Sequence, residues 1–119
     1  MGELQERVAP QQIASYAEFW PYYLREHSLA ATRACHLAST SVALVLVVVA
    51  IATLDWRWLP VALAVGYGPA WLSHIFIQHN RPATFRYPFW SFLSDLRMLA
   101  LWLGGGLSEE VARRLPGGE

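Results

Sequence analysis

The 119-residue sequence contains no lysine and a single cysteine, Cys35, which has no second cysteine in the chain to pair with. An intrachain disulfide is therefore excluded, and nothing supports an oxidising compartment. An excess of charge of one sign is also lacking, because the nine arginines balance nine acidic residues. Without a basic surface field, we expect no nucleic-acid partner.

The N-terminus lacks the basic start and early apolar run of a secretory signal, so we expect targeting to come from internal segments. Apolar residues, in contrast, are abundant, and hydrophobic types make up 55% of the chain. In a chain long enough for one domain, this composition predicts an integral membrane protein rather than a soluble one.

Apolar residues recur at helical spacing near the N-terminus, and two later segments are apolar over the roughly 20 residues that a bilayer core requires. The sequence therefore predicts an all-α membrane bundle of one domain. Its predicted elements are an amphipathic helix over 11–26, a first span over 33–54, a second span over 59–78, a shorter hydrophobic helix over 89–103 and a tail helix over 107–115.

Two of these elements are not simple spans. The amphipathic helix either lies in the membrane interface or packs on the other helices, and its pattern fits both interpretations equally. The helix over 89–103 is short for a bilayer and carries Asp95 and Arg97, so we expect it to be only partly inserted. Charges are costly inside a membrane, and a functional role is therefore the default interpretation of both residues.

The two spans should form a helical hairpin, because the polar turn Asp55–Trp58 separates them. Small residues such as Gly66 and Ala70 lie four apart on the second span, and Ala43 lies on a matching seam of the first. Arginines near the spans are concentrated on the side opposite the turn, which predicts that both termini are cytoplasmic. Two spans bury little surface alone, so the formation of a homodimer is an open alternative.

A hairpin returns the start of its first helix and the end of its second to the same surface. His36 and His74 should therefore be neighbours, and His27 and His79 fall on the same side. Imidazole is the commonest transition-metal ligand, so the cluster predicts a metal site, with iron(II) as the hypothesis. No pair has a standard short ligand spacing, and interfacial histidines that satisfy helix ends and headgroups are the alternative. His79 is the least expected ligand.

The linker after the second span adds Asn80 and Arg81 at this surface. An arginine here could bind a carboxylate or phosphate, although anchoring of the membrane orientation also explains arginines in this linker.

At these residues the sequence resembles a family of small membrane proteins that includes a fungal iron(II)-dependent dioxygenase of the endoplasmic reticulum. That enzyme shortens 2-hydroxy fatty acids by one carbon during phytosphingosine breakdown. The resemblance extends from Phe19 to Gly104, and its bacterial branch is the most similar. It is carried by His36 together with the stretches FWPYYLREH at 19–27, GYGPAWLSH at 66–74 and NRPATFRYPFWS at 80–91.

The resemblance implies an iron(II) site at His27, His36 and His74, which match the histidines that the family uses for iron and activity. Two departures are present. Leu29-Ala30 replaces the family's usual Asn-Pro, and Gln78-His79 replaces a Glu-Lys pair. Loss of that glutamate leaves three options: Asp95 supplies the carboxylate, His79 compensates, or activity is altered. Gln78 and His79 are therefore kept as further metal-ligand candidates.

The function implied by the resemblance is α-oxidation of 2-hydroxy fatty acids with dioxygen, in a bacterial inner membrane. The expected catalytic residues are His27, His36, His74 and Asp95, and the expected substrate-binding residues are Asn80, Arg81 and Arg97. A noncatalytic membrane protein that organises lipids or binds a partner, while keeping the family fold, is the main alternative. Haem ligation by two of the histidines ranks lowest.

Overall fold

The computed structural model describes residues 12–116, and within them the chain is helical and contains no strand. The all-α prediction is therefore confirmed for this part of the chain. A π-helical turn, His74–Gln78, extends the third α-helix, and a 3₁₀ turn, Ala83–Phe85, precedes the fourth. The α-helices are α1 (Tyr16–Glu26), α2 (Ala30–Thr53), α3 (Trp58–Ser73), α4 (Pro88–Leu103) and α5 (Leu107–Arg114).

Two helices are long and apolar enough to cross a membrane. They are Ala30–Thr53, with a mean hydropathy of 2.3, and Trp58–Gln78, with a mean hydropathy of 1.3. At 1.5 Å per residue, the first is about 36 Å long, which exceeds the roughly 30 Å of a hydrocarbon core. Its outward side chains are aliphatic and exposed, as Val45 at 61% and Val48 at 63% show. Lipid suits such a surface better than water does.

The turn between these helices is closed by local polar contacts. Leu54 ends α2 in the left-handed conformation, at φ 53°, and its amide donates to carbonyls of the last helical turn. The Arg57 guanidinium then binds the Asp55 carboxylate at 2.9 Å. The chain therefore reverses direction within a few residues, and α2 packs along α3 as a hairpin.

Helix boundaries differ from the predicted ones where polar side chains act on the backbone. The amphipathic helix begins at Tyr16 rather than near 11, because Ser15 caps it by accepting from the Glu18 amide at 3.3 Å; position 11 lies outside the described residues. The first span begins at Ala30 rather than 33. Arg33 fits inside this helix because its guanidinium donates to the carbonyls of His27 and Ser28.

Helix α1 forms the core of the molecule. Four of its side chains are at most 1% exposed, and they pack with residues of α4 and α5 such as Met98, Leu107 and Val111. The structure therefore supports the interpretation in which this amphipathic helix packs on its neighbours. The four buried side chains are Phe19, Trp20, Tyr23 and Leu24.

The hairpin is closely packed where small residues face each other. A Cβ atom on Gly66 would lie 3.1 Å from the Cβ of Ala43, which is tighter than ordinary van der Waals contact. Gly66 therefore lets α2 and α3 approach along the predicted row of small residues.

Replacing Gly66 by leucine should separate α2 from α3, because the larger side chain has no space beside Ala43. We expect a loss of about 1–3 kcal/mol of unfolding free energy, the usual cost of overpacking. Gly68→Leu is the matched control, since nothing lies within 4 Å of a Cβ at that position. Thermal melts followed by circular dichroism in detergent measure both variants. Equal melting temperatures for the two variants would show that close approach at Gly66 contributes nothing.

Candidate metal centre

Three histidines from three different elements meet at one end of the hairpin. His27 ends α1, His36 lies in the second turn of α2, and His74 opens the π-helical turn that follows α3. Their exposed fractions are 1%, 5% and 0%. Among the described residues, these three form the group of possible metal ligands whose ligand atoms lie within 4.8 Å of one another.

The inner nitrogens of the three rings form a nearly equilateral triangle. Nε2 of His27 lies 3.1 Å from Nε2 of His36, and Nε2 of His74 lies 3.0 Å from each of the other two. The rings stand nearly perpendicular to one another, with interplanar angles of 81–85°. All three Nε2 atoms therefore point at a shared centre.

The outer nitrogens are held by oxygen acceptors. Nδ1 of His27 donates to the Tyr23 carbonyl at 2.6 Å, and Nδ1 of His36 donates to Oδ1 of Asp95 at 3.3 Å. Nδ1 of His74 donates to Oδ1 of Asn80 at 2.6 Å. Each ring is therefore fixed by a partner from another part of the chain or from its own helix end, as metal-bound histidines usually are.

The amide of Asn80 has a defined orientation. Its nitrogen donates to both the carbonyl and the carboxylate of Glu26, so its oxygen is the atom that faces His74. His79 makes this placement possible, because it adopts the left-handed conformation at φ 60° and turns the chain back. The backbone N–H of Asn80 then donates to the His74 carbonyl at 2.9 Å.

These contacts decide where the protons lie. A carbonyl, a carboxylate and an amide oxygen can only accept, so each Nδ1 carries a hydrogen and each neutral ring presents a lone pair at Nε2. Burial lowers the pKa of His27 well below its ordinary value of 6.5, and His36 and His74 lower it further. Three lone pairs thus face one another without a donor between them, an arrangement that a cation would stabilise.

The spacing of the nitrogens fits a transition metal. An ion bound at about 2.1 Å, with bond angles of about 90°, holds its nitrogen ligands about 3 Å apart, whereas tetrahedral angles hold them about 3.4 Å apart. The observed 3.0–3.1 Å matches three adjacent corners of an octahedron. Two axial ligands of a haem iron lie about 4 Å apart on opposite sides, so the triangle does not suit haem. His27, His36 and His74 could therefore hold a metal ion.

Tyr23 and Asp95 support the cluster from behind. The Tyr23 hydroxyl donates to Oδ1 of Asp95, and its ring stacks on His27 with centroids 4.1 Å apart. Burial raises the pKa of Tyr23 well above its ordinary value of 10.0, and the charge of Asp95 raises it further, so the hydroxyl keeps its proton. The Asp95 carboxylate faces the outer nitrogen of His36, behind the metal-binding side of that ring.

Comparison with known protein families is consistent with this geometry. The model of one family, described as 2-hydroxy-palmitic acid dioxygenase Mpo1-like, matches residues 13–107. The chain belongs to this Mpo1-like family. Neither a curated protein nor a solved structure matches the chain significantly. The three histidines of this Mpo1-like chain all lie within the matched region.

The structure places four other predicted site residues away from the triangle. His79 is exposed, and Gln78 binds the Leu29 amide at 3.1 Å and the Ser28 hydroxyl at 2.7 Å. Arg97 covers the Trp20 ring, with its guanidinium carbon 4.2 Å from the ring centroid. Arg81 is exposed beside Asn80. The substrate-binding roles assigned to Asn80, Arg81 and Arg97 stay predictions.

Sequence reasoning missed Tyr23 and Glu26. Tyr23 contributes both its carbonyl and its hydroxyl, and Glu26 orients Asn80. One signal was available: Tyr23 lies four residues before His27 at the end of α1, where carbonyls lack helical partners. No comparable signal links Glu26 with Asn80, because the two are 54 residues apart.

Alanine at His27, His36 or His74 should abolish tight metal binding, because each change removes one corner of the triangle. We expect about one metal ion per chain in the wild type and less than about a tenth of that in each variant. His79→Asn is the matched control, since asparagine tolerates the left-handed backbone and removes an imidazole outside the cluster. Elemental analysis of detergent-purified protein measures the ratio. Full metal content in all three alanine variants would exclude this site.

Asn80→Ala should weaken metal binding while the three ligands remain. Loss of the acceptor frees the His74 ring to rotate, and such changes typically cost about 10–100-fold in metal affinity. Chelator competition measures the affinity, and the exposed neighbour Arg81→Ala serves as the control. Equal affinities of both variants would show that Asn80 does not position the ring.

Proposed function

We propose that this chain is an iron(II)-dependent dioxygenase that shortens 2-hydroxy fatty acids by one carbon. The single observation that carries the proposal is the triangle of Nε2 atoms, 3.0–3.1 Å apart, in a chain of the Mpo1-like family. Ligands on one face of an octahedron leave open positions, which is the arrangement used by non-haem iron(II) oxygenases. A ferrous ion at this site would supply the electron transfer that reaction with dioxygen requires.

The proposed reaction balances without a further cosubstrate. One 2-hydroxy acid and one dioxygen molecule give a fatty acid one carbon shorter, one carbon dioxide and one water. The bond between the first and second carbons breaks, the second carbon becomes the new carboxyl group, and dioxygen accepts all four electrons. No separate reductant is needed.

The chain's own residues hold the donor set and keep water away from it. Asp95, Asn80 and the Tyr23 carbonyl fix the outer nitrogens, so that three neutral imidazoles present their lone pairs together. The cluster is almost fully buried, which favours neutral ligands over protonated ones. Asp95 thus acts as a positioning residue for His36 in this proposal.

Gln78 supports the proposal that this member remains active despite its departure from the family pattern. Its side chain joins the turn before α2 to the end of α3 through Leu29 and Ser28. A glutamate could accept the same backbone hydrogen bond, so the position serves to connect elements. Glutamine in place of the family's glutamate therefore removes no ligand from the histidine triangle.

The proposal places the chain in a bacterial inner membrane, with Ala30–Thr53 and Trp58–Gln78 as the spans. Arg57 lies alone in the hairpin turn, whereas Arg25, Arg33, Arg81 and Arg86 lie at the opposite end, so both termini and the histidine cluster would face the cytoplasm. The homodimer stays a prediction.

Purified protein loaded with iron(II) should convert 2-hydroxypalmitate to pentadecanoate and carbon dioxide, with one dioxygen consumed per turnover. An oxygen electrode and mass spectrometry of the fatty acids measure the stoichiometry. His36→Ala should reduce turnover to background, and His79→Asn should retain it.

A folded, iron-loaded sample that leaves a panel of 2-hydroxy acids unchanged would contradict the proposal. In that case, an unchanged cell phenotype after His36→Ala and His74→Ala would favour a noncatalytic membrane protein with the family fold.

A further inference from the structure

A groove of about 390 Å³ begins beside the histidine cluster and runs along the hairpin between α2, α3 and α4. Thr40, one helical turn after His36, lines it together with Asp95, whose carboxylate accepts from His36. The remaining lining residues extend away from the cluster along both hairpin helices. On α2 they are Ala43, Leu44 and Val47; on α3 they are Leu59, Ala62, Leu63, Gly66 and Tyr67; on α4 they are Phe92 and Leu96.

The polar groups of this groove lie at one end. Thr40 and Asp95 are near His36, and Tyr67 is close to them because it follows Gly66, which faces Ala43. Every other lining residue is aliphatic, aromatic or glycine. The groove therefore suits an amphiphile whose polar end lies near the histidines and whose apolar part runs toward Val47 and Leu59.

We propose that this groove holds the acyl chain of a single-chain 2-hydroxy acid, and that Ala62, near its far end, limits the length of that chain. The inference rests on the proposed function and names the part of the molecule that binds its substrate. The groove volume is near the lower limit of small-ligand sites, which favours one chain over the two of a phospholipid.

Hydrogen bonding also favours a hydroxy acid over a phospholipid as the occupant. Oδ1 of Asp95 accepts from Tyr23 and His36, whereas no described residue donates to Oδ2. A hydroxyl near the polar end of the chain can donate to this free oxygen. A phosphodiester offers no donor for this oxygen.

Ala62 and Ala64 provide a matched pair for testing the groove. Ala62 lines the groove near its far end and is 3% exposed, whereas Ala64 is exposed on the same helix and does not line the groove. Ala62→Phe should fill the far end and exclude long chains, with about tenfold weaker binding as the cost of overpacking. Short chains, which end before Ala62, should bind as before. Ala64→Phe should change the binding of neither long nor short chains.

The experiment uses the full chain in phosphatidylcholine nanodiscs and a photoreactive 2-hydroxypalmitate with a diazirine near its last carbons. We expect cross-links in the peptides that contain Val47 and Leu59–Leu63. Competition by unlabelled 2-hydroxy acids of ten and sixteen carbons then gives relative affinities. In Ala62→Phe, the sixteen-carbon competitor should weaken about tenfold against the ten-carbon one.

Two other outcomes overturn the inference. If phosphatidylcholine with a diazirine in its acyl chain labels the same peptides equally, the groove holds bulk lipid. Cross-links confined to outward residues such as Val45 and Val48 would place the chain outside the groove. If Ala62→Phe does not fold, the positions of the cross-links in the wild type decide whether the acyl chain lies in the groove. Cross-linking does not depend on turnover. Specific labelling of the groove by a protein without activity would therefore contradict the proposed reaction but support the proposed binding site.

Discussion

The structure depends on three imidazole lone pairs that converge to within 3.0–3.1 Å of one another. Without a cation, this contact is repulsive, so other parts of the chain must hold the rings in place. The acceptors come from three places: the Tyr23 carbonyl in α1, the Asp95 carboxylate in α4 and the Asn80 amide in the loop after α3. The packing of α1 against α4 is therefore a condition for the site.

Irregular backbone is concentrated at the same end of the hairpin. The π-helical turn His74–Gln78 follows α3, and His79 then adopts a left-handed conformation that costs a non-glycine residue about 1 kcal/mol or more. Together they turn the chain so that Asn80 reaches back to the His74 ring. A regular helix would carry Asn80 away from that ring. π-Helical turns occur frequently at functional sites, and here the turn lets Asn80 reach a candidate metal ligand.

The sequence was sufficient to predict the convergence of His36 and His74, because a hairpin of two apolar helices leaves no other placement for their ends. The role of His27 depended on family resemblance, since its position requires α1 to pack inward. The contacts of Asn80 with Glu26, and of Gln78 with Leu29, could not be predicted. They join residues about fifty positions apart, and no periodic pattern in the sequence indicates such long-range pairs. Helix starts were also wrong where Ser15 and Arg33 act on the backbone.

Metal binding and folding should be coupled in this chain. The three ligands belong to α1, α2 and the turn after α3, so an ion would add a further connection between α1 and the packed hairpin, beside hydrogen bonds such as that of Arg33 with the His27 carbonyl. Binding to the folded arrangement alone stabilises it, because the separated ligands of an unfolded chain offer no preformed site. The same ion would relieve the repulsion among the lone pairs. The hydrogen bonds that orient the rings therefore hold an arrangement that a bound cation would stabilise further.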